Sequence, residues 1–282
     1  MRSIAILITC HNRKLKTLEC LSNLYKQDGI FVDFVLDVFL VDDASIDGTS
    51  DEIRKHFPEV NIIYGDGNLY WNRGMHLAWK TAYTFKDFDY YLWLNDDTFL
   101  NYDSISILIN SSILLDNKSV VIGSTFSHDL NRTSYGGYSK RGKLLVPNGK
   151  MQESSTFNGN IVLIPQYVFN RVGILDPRFI HAIGDFEYAL RIRKYSLKSF
   201  IAPSYLGICE GDTKLPKWCQ AEYSLLERIR NLYSPLGNSH PYYFFLYNKM
   251  HNGYLIAIKQ LLSTHIRLLL PSLWLKKNLF FK

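Results

Sequence analysis

Apolar runs and polar turns alternate along the first hundred residues. Ile4 to Ile8 is a short unbroken apolar run, the pattern of a parallel strand buried on both faces. The polar turn Thr9-Cys10-His11-Asn12 ends it. Leu15, Leu18, Leu21 and Leu24 then recur at helical spacing and predict a helix to Tyr25. Phe34 to Val41 predicts a second strand, followed by the loop Asp42-Asp43-Ala44-Ser45-Ile46-Asp47-Gly48. Thr49 to Glu52 reads as a capping box that opens a helix to Phe57. A strand over 61–64, a helix over 75–85 and a strand over 90–94 follow, the last closed by Asn95-Asp96-Asp97-Thr98. Strands and helices in this alternation predict an α/β fold, a parallel sheet with crossover helices.

The pattern loosens after Ser124. Residues 127–157 are rich in Ser, Gly, Asn and Lys and read as loops or a hairpin. A strand over 161–164, a helix over 166–172 and a helix over 186–194 come next. Lys198 to Ala202 predicts a late strand that Pro203 should stop. From about Pro216 the chain reads as helical and amphipathic. The breaks suggest three segments, 1–124, 125–215 and 216–282.

Composition narrows the class. In 282 residues, 47% are hydrophobic and 21% charged, enough for a sizeable core and too apolar for disorder. The net charge of +6 is unevenly placed: no Asp or Glu occurs from Arg228 to Lys282. Apolar residues interleave those cations, which speaks against a nucleic-acid groove and for peripheral contact with an anionic membrane surface through the C-terminal tail. A helix packed on the rest of the chain or on a second copy is the alternative, so self-association stays open. No stretch reaches the roughly 20 apolar residues of a membrane span. The four cysteines (Cys10, Cys20, Cys209, Cys219) lack CxxC spacing and read as free thiols of a reducing cytoplasm.

The chemistry gathers at strand ends. In an open α/β sheet, ligands collect at the carboxyl ends of the strands. Here those ends carry Asn12, then Asp42 and Asp43, then Asp96 and Asp97. Carboxylates crowded on one edge repel unless a positive charge neutralises them. A hard cation such as Mg²⁺ or Mn²⁺, held by one or two carboxylates and phosphate oxygens, does so. Asp47 and Gly48 are better read as turn residues.

Six segments in this order resemble the family 2 glycosyltransferases: IAILITCHN (4–12), FLVDDASIDGT (39–49), GDGNLYWNRGMH (65–76), LWLNDDT (92–98), NGNIVLI (158–164) and GILDPRFIHAIGDFEYALRIRKY (173–195). The resemblance spans about Met1 to Pro203. GDGNLYWNRGM with LNDDT looks closest to bacterial rhamnosyltransferase-like members that build surface polysaccharides. It implies a GT-A fold, a Rossmann-like mixed sheet flanked by helices, here with a helical, basic, aromatic C-terminal tail. It also implies transfer of a sugar with inversion, from a nucleotide-sugar donor (dTDP-rhamnose or a UDP-sugar) to a saccharide or lipid-linked saccharide at the inner face of the membrane. By this resemblance 1–124 is the nucleotide-sugar half and 125–215 the acceptor half.

The resemblance also assigns residues. Thr9 and Asn12 would lie by the nucleotide, Asp42 or Asp43 would bond the base or ribose, and Arg73 would approach the diphosphate. Asp97 is the metal ligand and Asp96 the ribose or metal contact, with Asn95 departing from the all-acid motif. Asn158-Gly159-Asn160 would face the donor sugar, Asn160 touching it. Asp185 aligns with the catalytic base, which accepts the acceptor hydroxyl's proton. Gly184 replaces the acid that usually precedes it, and Glu187 stands for the last Asp. A helix-capping role for Asp185 is the competing reading. No later His offers itself as a metal ligand; Cys209, Glu210 and Asp212 are stand-ins, with a surface loop preferred. Two other functions compete: a sugar nucleotidyltransferase, which would want a Gly-rich basic loop after the first strand, and a saccharide-binding protein without turnover. The missing GxGxxG disfavours a nicotinamide dehydrogenase.

Overall fold

A computed structural model describes residues 1–211, 215–237 and 239–272; Asp212 and the last ten residues of the tail lie outside the described residues. The first half runs β1 (Arg2–Cys10), α1 (Lys14–Leu24), β2 (Phe34–Asp42), α2 (Thr49–His56), β3 (Asn61–Tyr64), α3 (Tyr70–Phe85), β4 (Tyr90–Leu94), β5 (Phe99–Leu100), α4 (Ser104–Leu114) and β6 (Ser119–Ser127). Then come β7 (Arg132–Tyr135), β8 (Gly137–Tyr138), β9 (Gln152–Ser154), β10 (Thr156–Phe157), β11 (Ile161–Pro165), α5 (Gln166–Val172), α6 (Gly184–Lys194) and β12 (Lys198–Ile208). A short 3₁₀ turn (Lys217–Cys219) leads to α7 (Leu225–Leu232), α8 (Pro241–His251) and α9 (Tyr254–Leu269).

The main sheet has the order β3-β2-β1-β4-β11-β6-β12-β5. Strands β3, β2, β1 and β4 are parallel, β11 is antiparallel to both its neighbours, and β12 lies parallel to β6. The mixed, GT-A-like sheet is thus continuous across position 124, and the segments 1–124 and 125–215 share it. Both faces are covered, which is why the central strands read as unbroken apolar runs. Ile4, Ile6 and Ile8 of β1 pack with Leu21 and Leu24 of α1 and Leu108 of α4. Ala5 and Leu7 point to the other face, with Met75, Ala78 and Trp79 of α3 and Tyr188 and Ile192 of α6.

Several expected boundaries move. Pro203 does not stop β12, which continues to Ile208; its pairing with β6 shifts register between Ile201 and Tyr205, and such an irregularity accommodates a residue with no N–H. The capping box at Thr49–Glu52 does not form. Gly48 is the N-cap, and the Asp47 carboxylate instead accepts from the Thr49 backbone N–H at 3.1 Å and the Lys14 N–H at 3.0 Å. Helix α3 begins five residues before Met75, at Tyr70. Residues 127–157 supply β7 to β10, short pieces that pair with the main sheet or each other. Helix α4 and strand β6 were not legible, because neither has a clean period.

Candidate functional site

The adjacent carboxyl ends of β2, β1 and β4 bring the predicted nucleotide-side residues together. Asp42 and Asp43 are buried, and each accepts hydrogen bonds from a nearby loop or helix start. Asp42 accepts from the Ser45 N–H at 2.9 Å and from the Ser50 hydroxyl. Asp43 accepts three N–H groups of the segment that opens α3: Gly67 at 2.8 Å, Leu69 at 2.9 Å and Tyr70 at 2.9 Å. Asn12 ties the first loop to the second, accepting from the Ile46 N–H at 2.8 Å while its own N–H donates to the Ser45 hydroxyl at 2.9 Å. Thr9 lies against α3 so closely that a Cβ added at Gly74 would come within 2.2 Å of its hydroxyl oxygen. Arg73 Nε donates to the Pro177 carbonyl at 2.9 Å.

Beyond β4 stand Asp96 and Asp97. Asp96 is buried, and burial pushes its carboxyl up to about 7 against the pull of the neighbouring Arg13 guanidinium. Arg13 Nη1 lies 3.1 Å from Asp96 Oδ1 and 2.6 Å from Asp97 Oδ2. Asp96 Oδ2 is buried with no hydrogen-bond partner. A buried carboxylate oxygen without a donor is costly, so it marks a place for a ligand. Among the described residues no group of three acidic, His or Cys side chains could hold a metal. Two carboxylates with one free oxygen do suit a hard cation that takes its remaining ligands from phosphate and water. Of the stand-ins for a later His, Cys209 is a buried thiol, raised to about 12 by burial, that donates to Asp97 Oδ1 at 3.8 Å. Glu210 caps a turn, accepting from the Ser127 hydroxyl and from the His128 and Asp129 N–H groups at 3.1 and 3.2 Å.

Next to this pair opens a cleft of about 920 Å³, lined by Trp71, Asn95, Tyr138, Asn160 and Asp185 among others. Asn95 gains meaning here: its side-chain oxygen accepts the Trp71 indole N–H at 2.7 Å, fixing the ring at the junction of the two regions. A Cβ at Gly159 would come within 2.3 Å of that ring, so glycine is what lets Trp71 reach the cleft. Asn160 is buried, donating to the Thr98 hydroxyl at 3.3 Å and the Cys209 sulfur at 3.5 Å.

Asp185 sits in the first turn of α6 on the cleft wall. It is not the N-cap, a place taken by Ile183 with φ +73°. Oδ2 accepts from the Gly159 N–H at 3.0 Å and Oδ1 from the Phe186 N–H at 2.8 Å. These donors and the helix N-terminus favour the anion, yet burial prevails and pushes the carboxyl up to about 6. That is a value suited to a base working near neutral pH. The departure at Gly184 has a packing cause, since a Cβ there would come within 1.8 Å of the Asn72 side-chain oxygen. Asn72 in turn donates to the Asp176 and Phe179 carbonyls, each at 2.8 Å, and so locks α3 to the segment before α6.

The tail completes the cleft. Phe244 and Tyr247 of α8 line it together with Phe186. Behind them Glu187 is fully buried between Arg191, 2.8 Å away, and His251 of α8, 3.3 Å away. Lys194 also donates to the Met250 carbonyl at 2.8 Å. Helix α8 is thereby held to the base-bearing helix. No pattern along the chain points to Arg13, Phe244, Tyr247 or His251 at the site: Arg13 follows a strand like any solvated cation, and the others lie about 60 residues beyond Asp185.

The arrangement can bind an anionic group at the strand ends and remove a proton in the cleft. The model of Glycosyl transferase family 2 matches residues 5–179. No curated protein matches the sequence. Among solved structures, S. aureus TarS 1-349 is similar with a TM-score of 0.51 at 14% identity, over 74% of this chain and 60% of that one. S. aureus TarS gives 0.55 at 14% identity, over 90% of this chain and 43% of that one. TarS 1-349 in complex with UDP gives 0.53 at 12% identity, over 86% and 72%. The chain thus spans less than two thirds of the first two, 60% and 43% of their length.

Proposed function

Because the chain belongs to glycosyl transferase family 2, we propose that it transfers a sugar, with inversion, from a nucleotide-sugar donor to a hydroxyl of a saccharide acceptor. The observation that carries this reading is Asp185, a carboxylate with a raised pKa on the wall of a cleft that Asn95, the neighbour of Asp96 in the chain, also lines. The acceptor oxygen attacks the anomeric carbon of the donor sugar while Asp185 takes its proton. The bond from that carbon to the diphosphate breaks on the opposite side, and the nucleoside diphosphate leaves. The segments around Asn12, Asp42 and Asp43 would receive the nucleoside; a UDP complex of a similarly folded protein supports this placement. Trp71 and Asn160 would face the donor sugar, and Tyr138, Phe186, Phe244 and Tyr247 the acceptor, since aromatic rings suit the apolar faces of sugars. Asp97, with Asp96, would hold Mg²⁺ or Mn²⁺, which when bound neutralises charge on the leaving diphosphate.

The division of labour follows: 1–124 for the donor, 125–215 for the acceptor and base, and 216–282 as an extension that also walls the cleft. For the tail we favour contact with an anionic membrane surface and hence a lipid-linked acceptor of cell-surface polysaccharide synthesis. Leu255, Ile256, Leu262, Ile266 and Leu269 of α9 are exposed beside Lys259, and no acid follows Arg228 in the sequence. No described helix is long and apolar enough to cross a membrane. Flotation with phosphatidylglycerol vesicles tests this, and equal recovery with uncharged vesicles would count against it.

The activity test is nucleoside-diphosphate release from dTDP-rhamnose, UDP-glucose, UDP-galactose and GDP-mannose with Mn²⁺ or Mg²⁺. Release from one donor, lost in Asp97→Ala and Asp185→Asn, is the expected result. Neither release nor donor binding would overturn the reading for these donors.

A further inference from the structure

Arg13 belongs to the loop between β1 and α1, and its side chain is about half exposed, at 46%. Asp96, which it contacts, is 9% exposed at the side chain, and Asp97 is 23%. One nitrogen, Nη1, bridges both carboxylates. The guanidinium therefore neutralises the charge that a divalent cation would need, and it does so from a mobile-length side chain rooted outside the pair. The charge count favours an exchange. With both carboxyls ionised, the two carboxylates and one guanidinium sum to −1. Adding a divalent cation makes +1, an unfavourable crowding of like charge. Adding a donor diphosphate with two negative charges returns the sum to −1 and gives the guanidinium a new anion. Planar guanidinium groups suit phosphate oxygens as well as carboxylates.

We propose that Arg13 blocks free divalent cation from the Asp96–Asp97 pair in the donor-free protein and turns to the donor diphosphate when donor and cation arrive together. Arg13 is then a positioning residue that makes cation and nucleoside diphosphate bind as one unit. The proposal rests on reading Asp96–Asp97 as the cation-holding pair, and the experiment separates the two.

The test is Mn²⁺ binding to the full chain without nucleotide, followed by electron paramagnetic resonance, for the native protein, Arg13→Gln, Arg13→Met and Asp97→Asn. Thermal unfolding of each checks that it is folded, and Arg13→Met keeps the aliphatic stem. Both Arg13 variants are expected to bind Mn²⁺ at least about tenfold more tightly than the native protein, because two charge-assisted contacts no longer compete. With Mn²⁺ saturating, their affinity for inorganic pyrophosphate is expected to fall about fivefold or more. Unchanged Mn²⁺ affinity in both variants overturns the blocking role, and unchanged pyrophosphate affinity overturns the transfer to the diphosphate. In the first case Asp97→Asn tells which idea has failed: weaker Mn²⁺ binding there keeps the cation-holding pair and removes only Arg13's part, while no change removes the pair as well.

Discussion

Replacing Asp185 by Asn keeps the shape of the side chain and removes its charge. Burial raises the native carboxyl from 3.8 to about 6. The folded state therefore binds this proton more tightly than the unfolded state does. Stability from that proton is fully present below the unfolded value and is lost as pH rises through the folded value. Linkage puts the loss at about 2 kcal/mol between about pH 4 and about pH 7. The introduced amide does not titrate over this range. It turns an NH₂ toward either the Gly159 or the Phe186 N–H, a penalty that does not depend on pH. Urea unfolding of both ligand-free proteins across that window should show the native stability falling relative to the variant by this amount. In parallel, sugar transfer by the native protein should rise with pH through about 6 and level off. The variant should lose about 10²–10⁴-fold in rate, the usual share of a general base. A stability difference that stays flat with pH would refute the desolvated carboxylate. A variant that transfers sugar at the native rate would refute the base.

Three further outcomes test the supports of the site. Gly159→Ala should weaken donor binding and lower stability by about 1–3 kcal/mol, the range for overpacking, since the new Cβ would lie 2.3 Å from Trp71; urea unfolding and donor titration read both. Trp71→Phe should lower stability by about 1 kcal/mol through loss of the 2.7 Å bond to Asn95, measured by urea unfolding. His251→Ala should lower stability by about 2 kcal/mol, because it removes a side chain only 2% exposed that packs against Glu187 and Tyr247, and should speed proteolytic cutting before α8; unchanged cutting would mean that α8 is held by other contacts.

Legibility differed between the parts of the site for physical reasons. Strands β1, β4 and β11 were readable because burial on both faces forces an unbroken apolar run. Their acidic ends were readable because the sheet edge is where such residues gather. Helix α4 was not, since Ser111 and Ser112 are buried among its apolar residues and blur the period. Strand β12 was cut short at Pro203, because a single sequence cannot show that a register shift will absorb a missing N–H. Asp185 was found through its place in a motif, but its raised pKa comes from burial in the packed molecule, which no local pattern encodes.

The sequence alone determined the α/β layering, the convergence of Asn12, Asp42, Asp43, Asp96 and Asp97 on one edge, and the place of Asp185 at the head of a helix. Periodicity and strand-end position are properties of neighbours along the chain, so these could be read there. Only the tertiary structure decided that Arg13 spans Asp96 and Asp97, that Asn95 holds Trp71 over Gly159, and that Phe244, Tyr247 and His251 close the cleft from the tail. Each of these joins residues at least 24 positions apart. Such contacts are selected by shape and charge in the packed state, and the order of residues along the chain does not specify them.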